Sequence, residues 1–154
     1  MILLTAVALG AAAAPALDIV AFFTGRSHGD NVLKVALKRP VPLIVDSIGG
    51  KGDRGDFVLI ETLYEGAKPA RARKWIMKPA GPNHFIGTLT DATTPVDIRV
   101  SGGEATIRYT MKGGLRVVQQ LALRPDGRTI ANHIAVRKFG LKFASVDGEI
   151  RKLD

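Results

Sequence analysis

The chain contains no cysteine. Disulfide bonds, thiolate metal sites and cysteine nucleophiles are therefore excluded, and a lipid anchor attached through a cysteine is not expected. Beyond its first residues the chain also lacks an apolar run of about 18 residues, the length that a membrane-spanning helix needs. No transmembrane helix is predicted.

Histidine and serine occur without the spacings that chemistry requires. His28, His84 and His133 lie far apart, and none has a second histidine or a carboxylate at metal-ligand spacing. No serine lies in a nucleophile-elbow pattern, and the glycine-rich residues 49–52 lack the Lys-Ser/Thr ending of a phosphate loop. The sequence therefore predicts no metal site, no cofactor and no catalytic residue.

The first residues have the pattern of an export signal. Residues 2–9 form a short apolar core, and Ala14-Pro15-Ala16 offers small residues where a signal peptidase cleaves. We predict a signal peptide over residues 1–16, one domain over residues 17–154 and a periplasmic or secreted location. The alternative is an apolar first strand or helix that stays in the protein.

The charge is strongly basic. Twenty-two Lys and Arg residues against 14 Asp and Glu give a net charge of +8. The basic residues are scattered, and no aromatic-rich nucleic-acid motif accompanies them. An anionic membrane surface is thus a better candidate partner than nucleic acid. Nothing in the sequence defines an oligomeric state.

A period of two with frequent turn residues predicts an all-β domain. Asp18 is placed to cap a short helix over residues 19–23, which Gly25 would end in a left-handed conformation. Short turns make sequential strands pair, and closure removes the exposed edges, so we predict an up-and-down antiparallel, lipocalin-like barrel of about ten strands. The predicted strands are residues 32–38, 42–48, 56–65, 70–78, 84–91, 96–101, 105–111, 115–124, 128–138 and 141–151.

Turn positions also predict which residues lie opposite each other. A hairpin centred on Ala67 sets Glu61 against Arg73, with two apolar pairs on the same face. The predicted apolar pairs are Leu59 with Trp75 and Phe57 with Met77. For the next hairpin we predict Met77 opposite Phe85, Gly87 opposite Trp75 and Leu89 opposite Arg73.

Two later hairpins place more polar groups on apolar faces. The loop at residues 112–114 sets Ile107 against Gln119 and Tyr109 against Val117, and the Asp126-Gly127 turn sets Leu121 against Asn132. Buried polar groups need hydrogen-bond partners. The interpretation we favour is a satisfied internal ion pair of Glu61 with Arg73, and bridging amides.

The alternative is that these groups line a cavity and orient a ligand. The candidate ligand-binding residues would then be Glu61, Arg73, Trp75, Tyr109, Gln119, Asn132, Phe57 and Met77. Because Arg73 would keep Glu61 ionised, Glu61 is a poor general acid. An isomerase or hydratase built in the barrel is therefore the least favoured function.

Several short motifs between Phe22 and Ile150 resemble the bacterial envelope proteins grouped as domain of unknown function 3833. They are Phe22-Phe23-x-Gly25, Glu61, Arg73-Lys74-Trp75, Phe85-x-Gly87, Asn132 and Lys138-Phe139-Gly140. The resemblance implies a lipocalin-like barrel in the bacterial envelope. It implies no activity, and the lack of a cysteine at the cleavage site departs from the lipoprotein-type signal of many members.

Two functions follow from these observations. The first is a carrier of a small apolar or anionic amphiphile, with Arg73 anchoring the head group and Trp75, Phe57, Met77 and Tyr109 forming an apolar wall. The second is a non-catalytic envelope protein with a packed barrel and a basic exterior. A continuous cavity in the barrel would favour the first, and a filled interior the second.

Overall fold

The computed structural model describes residues 15–154. Residues 1–14 of the predicted signal peptide lie outside this range. Leu17 is buried, and its N–H donates to the carbonyl of Gly102 at 2.9 Å. The segment before the first helix is thus hydrogen-bonded to the turn at residues 102–103.

The short helix α1 (Ile19–Phe23) is confirmed with the predicted cap. The Asp18 carboxylate accepts from the Ala21 N–H at 3.0 Å, and Gly25 has a φ of +85° just after the helix. Phe22 and Phe23 are buried with their rings edge to face, their centroids 4.9 Å apart. The helix therefore closes one end of the domain with two aromatic rings.

Ten antiparallel strands form a closed barrel, in which each strand pairs with its neighbours in sequence and β1 pairs with β10. The up-and-down barrel predicted from the turns is confirmed, and it fits the lipocalin-like architecture. Within residues 15–154, no helix is long and apolar enough to cross a membrane. The strands are β1 (Gly25–Val35), β2 (Val41–Lys51), β3 (Phe57–Glu65), β4 (Arg71–Gly81), β5 (His84–Leu89), β6 (Val96–Ser101), β7 (Glu104–Met111), β8 (Leu115–Leu123), β9 (Thr129–Lys138) and β10 (Leu141–Lys152).

The first strand begins seven residues earlier than predicted, at Gly25 instead of Val32. Its first half is polar and contains glycine, so it lacks the β-branched and aromatic residues that mark a strand. Pairing with β2 on one side and β10 on the other supplies the missing stabilisation. This correction adds Ser27, Gly29 and Asn31 to the barrel interior.

The hairpin of β4 and β5 was predicted in the wrong register. Met77 lies opposite Gly87, and Trp75 lies opposite Leu89. The turn lies at Pro82-Asn83, between Gly81 and His84, which moves the pairing three positions from the predicted register. A bulge between Pro79 and Gly81 then adds one residue to β4, so the net shift is two positions. A Cβ on Gly87 would lie 1.9 Å from the carbonyl oxygen of Ile76 and 2.8 Å from the sulfur of Met77, so this glycine permits the close approach of β4 and does not make room for the indole.

The other predicted pairings are confirmed. Glu61 faces Arg73 and Leu59 faces Trp75 on β3 and β4. Gln119 faces Ile107 on one side and Ile134 on the other, and Asn132 faces Leu121. The polar side chains singled out in the sequence therefore do point into the barrel.

The two ends of the barrel differ. The half nearer α1 is packed with apolar side chains, among them Trp75, Met77, Ile98, Leu121 and Ile130. The opposite end, formed by the turns at residues 36–40, 66–70, 90–95, 112–114 and 139–140, carries no helix in the described part of the chain. We call it the open end.

Candidate functional site

The half of the barrel toward the open end contains a cavity of about 230 Å³. Of its polar groups, Glu61, Arg73, Tyr109 and Asn132 lie at mid-depth, and Phe23 of α1 forms part of its floor. Between this level and the open end the wall is apolar apart from the charged residues Glu65, Arg71 and Asp91. The apolar lining includes Leu33, Val35, Leu43, Leu63, Met111, Leu115, Ile134, Val136, Phe143 and Val146.

The central polar group is an ion pair on β3 and β4. The Nε of Arg73 donates to Oε2 of Glu61, and the indole N–H of Trp75 donates to the same oxygen at 2.7 Å. Both charged side chains are nearly buried, with 12% of Arg73 and 11% of Glu61 exposed. The interpretation of an internal ion pair therefore describes this contact, but only the Nε group of Arg73 is satisfied by a hydrogen bond within residues 15–154.

Arg73 retains hydrogen-bonding capacity. Of its five N–H donors, only the Nε group makes a hydrogen bond within residues 15–154. Its Nη1 lies 3.8 Å from Asp91, whose carboxylate is held by Arg71 at 3.0 Å. Burial acts to lower the pKa of Arg73, but the nearby carboxylates outweigh burial and raise it above its usual value. Arg73 therefore keeps a positive charge beside the cavity.

Tyr109 lies next to this ion pair. Its ring meets the indole of Trp75 edge to face, with 6.0 Å between centroids, and the guanidinium of Arg73 lies 5.5 Å from the Trp75 ring centroid. Burial raises the pKa of the Tyr109 phenol, while the charge of Arg73 partly opposes the rise. The phenol is thus a neutral polar group in the cavity wall.

A chain of amides lies on the other side of the cavity. Gln119 donates to Asn132 at 2.8 Å, Asn132 donates to Asn31 at 3.0 Å, and Asn31 donates to the carbonyl of Leu43 at 3.3 Å. Oε1 of Gln119 is the buried side-chain atom left without a partner within residues 15–154. The amides therefore bridge strands on both sides of the β1–β10 seam.

Comparison with known proteins places the chain in a family. The family model described as "Protein of unknown function (DUF3833)" matches residues 5–152. The chain belongs to this family. No curated protein matches the sequence.

Solved structures support the fold of this family member. A protein of unknown function from the DUF3598 family of Nostoc punctiforme matches with a TM-score of 0.69 at 13% identity. The match covers 92% of this chain, which spans only 51% of that protein. Rv2717c from M. tuberculosis matches with a TM-score of 0.65 at 13% identity, covering 92% of this chain and 99% of that one. At such identity the likeness concerns the fold alone.

The predicted site residues separate into two groups. Glu61, Arg73, Tyr109 and Asn132 line the large cavity. The other aromatic and sulfur-containing candidates, Phe57, Trp75 and Met77, line a second apolar cavity of about 60 Å³ on the α1 side, where Glu61 contributes too. Gln119 lines neither cavity, but it donates a hydrogen bond to Asn132.

Sequence reasoning missed several polar residues of the large cavity. Asn31 and Ser47 lie on β1 and β2, and Arg71 and Asp91 lie toward the open end. Asn31 alternates with Leu33 and Val35, a pattern that would have identified it had the first strand been extended backward. Asp91 follows β5 in an irregular segment, where no period could assign its direction.

The histidines lie on the outer wall, as predicted for His84 and His133. Each pairs with an aspartate on a neighbouring strand, and the nitrogen-to-oxygen distances are 2.5 to 2.7 Å. The pairs are His28 with Asp46, His84 with Asp97 and His133 with Asp147. In residues 15–154 no group of three or more His, Asp or Glu side chains is arranged to hold a metal.

Proposed function

We propose that the barrel binds one small amphiphile with an anionic head group and a short or medium apolar chain. The observation that carries the proposal is the Arg73 guanidinium, which is held by Glu61 through Nε and has further N–H donors beside an apolar-walled cavity. Arginine N–H groups in such a fixed fork suit a carboxylate or phosphate. A filled barrel would have favoured the non-catalytic envelope role instead.

The distribution of polar groups orients this ligand. Arg73, Tyr109 and Asn132 lie at mid-depth, whereas the wall toward the open end is apolar apart from Arg71, Glu65 and Asp91, whose carboxylates are paired with Lys68 and Arg71. The head group would bind at depth, and the chain would extend toward the open end. Small-molecule sites usually measure about 300–1,000 Å³. The cavity of about 230 Å³ is smaller, which favours a short or medium chain.

The compartment is part of the same proposal. The apolar residues 2–9 and the Ala14-Pro15-Ala16 site support export, so we place the carrier in the periplasm or outside the cell. There it would hold an amphiphile that is poorly soluble in water.

Calorimetric titration with decanoate, decanol and decyltrimethylammonium tests this function. We expect decanoate to bind with the highest affinity and the cationic amphiphile with the lowest. Ala144→Phe, which places a ring in the cavity, should abolish decanoate binding, because Ala144 lines that space. The Glu61→Gln/Arg73→Gln double variant should remove the preference for decanoate over decanol.

An exterior ion pair provides the matched control. Arg124 and Glu149 form a salt bridge at 2.7 Å with about half of each side chain exposed. The Glu149→Gln/Arg124→Gln variant should bind decanoate like the wild type. If none of the three amphiphiles binds, or if Ala144→Phe leaves binding unchanged, the proposed function is wrong.

A further inference from the structure

Four large apolar side chains are exposed at one sector of the open end. Leu37 is fully exposed at 106%, Phe139 at 92% and Leu141 at 74%, while Phe143 is 41% exposed and also lines the cavity. They belong to the tips of the β1–β2 and β9–β10 hairpins, which are adjacent because β1 pairs with β10. We call this sector, residues 36–40 and 138–143, the apolar rim. Single exposed apolar residues are ordinary, but a cluster at one edge marks a contact surface.

The backbone of the rim is unusual at two of these residues. Leu37 has a φ of +64° and Phe139 a φ of +52°, a left-handed conformation that normally takes glycine or asparagine. Within residues 15–154 the third non-glycine residue with a positive φ, Asn83, lies at the opposite end. A bulky apolar residue is unfavourable in this conformation, and exposed Leu37 and Phe139 gain little packing in return; Lys138 Nζ lies 5.7 Å from the ring centroid of Phe139. The presence of such residues at both rim tips therefore favours contact with another molecule over a role in stabilising the fold.

The charges around the rim are basic. Lys38, Arg39, Lys138 and Lys142 flank the apolar tips, and none of them forms a salt bridge within residues 15–154. The acidic residues of the open end are neutralised, since Glu65 pairs with Lys68 and Asp91 pairs with Arg71. The rim thus combines projecting apolar side chains with free positive charges.

We propose that the apolar rim docks on an anionic lipid bilayer. Leu37, Phe139 and Leu141 would enter the interface below the head groups, and the flanking Lys and Arg would meet the lipid phosphates. The complementarity of charge and the two projecting tips favour a bilayer over a protein groove. Phe143 then places the cavity opening against the lipid. This inference depends on the rim alone and holds whether or not the cavity binds an amphiphile.

The lack of cysteine makes a site-specific test simple. Leu141→Cys is labelled with the polarity-sensitive fluorophore NBD, and phosphatidylglycerol vesicles are added to the full chain. We expect a blue shift of the emission and quenching by lipids that carry a nitroxide on the acyl chain. The matched control is Ile48→Cys with the same label, because Ile48 is 57% exposed on the outer wall. It should show neither change.

Two further variants separate apolar from ionic contributions. The first variant adds Leu37→Asn and Phe139→Asn to the labelled protein, because asparagine tolerates the left-handed backbone. These substitutions should weaken vesicle binding about tenfold or more. Replacing Lys38, Arg39, Lys138 and Lys142 by Gln should weaken binding to anionic vesicles by a similar factor at low salt. Phosphatidylcholine vesicles should bind the unmodified rim weakly.

The outcomes distinguish this inference from the proposed function. Ala144→Phe blocks the cavity and should leave the vesicle response at position 141 unchanged. Absence of a response there, an equal response at position 48, or equal binding to neutral vesicles would overturn docking on an anionic bilayer. If the label at position 141 did not respond to vesicles while decanoate still bound, the proposed function would be retained. The apolar rim would then be assigned as a contact surface for a protein.

Discussion

Asn31 and Asn132 are 101 residues apart and are separated in the sheet by β10, yet Nδ2 of Asn132 donates to Oδ1 of Asn31 at 3.0 Å. The strand between them makes this possible because its residue at that level is Gly148, which is paired with Asn31 on one side and Asn132 on the other. With no side chain in the way, the two amides meet over the backbone. The seam that closes the barrel is therefore bridged by side chains and by the β-ladder.

Gly148→Ala should destabilise the protein by about 1–3 kcal/mol, the usual cost of overpacking. A Cβ at this position would lie 2.1 Å from the carbonyl oxygen of Asp30 and 2.6 Å from Oδ1 of Asn31. Urea denaturation followed by circular dichroism measures the change. Gly50→Ala is the control, because a Cβ there has no atom within 4 Å. A loss of stability no larger than for Gly50→Ala would show that the close approach of β1 to Gly148 does not contribute to the free energy of unfolding.

The ion pair of Glu61 and Arg73 should be strongly coupled. Glu61→Leu leaves the almost buried Arg73 charge with only the 3.8 Å contact to Asp91, and a loss of about 3–5 kcal/mol is typical of removing one member of a buried ion pair. Adding Arg73→Met should recover much of that loss, since neither charge then remains. Chemical denaturation of the two single variants and the double variant gives the coupling energy. Additive losses would contradict an energetic role for the contact.

The same cycle on Arg124 and Glu149 provides the comparison. These side chains form a salt bridge at 2.7 Å but are about half exposed. Exposed ion pairs contribute about 0–1 kcal/mol. The coupling energy there should be several-fold smaller than that of Glu61 and Arg73. Equal values would show that burial does not strengthen the coupling of the internal pair.

Short turns made much of the interior predictable from the sequence. The loops near Ala67, at residues 112–114 and at Asp126-Gly127 set their hairpin registers, and those registers placed Glu61 opposite Arg73. The hairpin of β4 and β5 was wrong because its turn lies at Pro82-Asn83 and a bulge near Pro79 adds a residue to β4, and neither feature leaves a periodic signal. Local turn chemistry determines register only where no extra residue enters the strand.

The cavity itself was beyond such reasoning. Its volume depends on how side chains from eight of the strands meet around it, including the small inward residues Gly29 and Ala144. The bond between Asn31 and Asn132 depends on closure of the barrel between its first and last strands. Neither feature is encoded in a single hairpin. The wall residues could therefore be named in part, but their division between two cavities could not.

Tyr109 should titrate above the ordinary tyrosine pKa of about 10. Burial disfavours the phenolate and raises the pKa, although the charge of Arg73 acts in the opposite direction. Tyr64→Phe leaves Tyr109 as the single tyrosine of the chain, so phenolate absorbance then reports on it directly. Its midpoint should lie above that of the free amino acid, and a midpoint at or below that value would contradict burial as the dominant effect.

The sign of this shift determines a dependence on alkaline pH. A group with a raised folded-state pKa contributes stability that is complete below its unfolded-state pKa, near pH 10, and is lost as the pH rises through the higher folded value. Tyr109→Phe should therefore flatten the fall in unfolding free energy above about pH 10. An unchanged slope would show that the phenol is not held in its neutral form.

Asp97 should contribute to acid sensitivity. Partial burial acts to raise its pKa, but hydrogen bonds and charges from His84 and Arg99 outweigh that effect and lower the pKa. His84 Nε2 lies 2.7 Å from Oδ1 of Asp97, and Arg99 Nε lies 3.3 Å from Oδ2. A carboxylate with a lowered folded-state pKa stabilises the fold above its unfolded-state pKa of about 3.9. That contribution is lost as the pH falls through the lower folded value.

Asp97→Asn should therefore be less stable than the wild type near pH 5, and the difference should shrink as the pH falls below about 4. Thermal denaturation across this range measures it. Asp53→Asn removes a loop carboxylate that forms no salt bridge within residues 15–154, so it controls for the change in net charge. If the two variants showed the same dependence on pH, long-range charge would account for the effect. A difference confined to Asp97→Asn would assign the stabilisation to the pairing of this carboxylate with His84 and Arg99 on the outer wall.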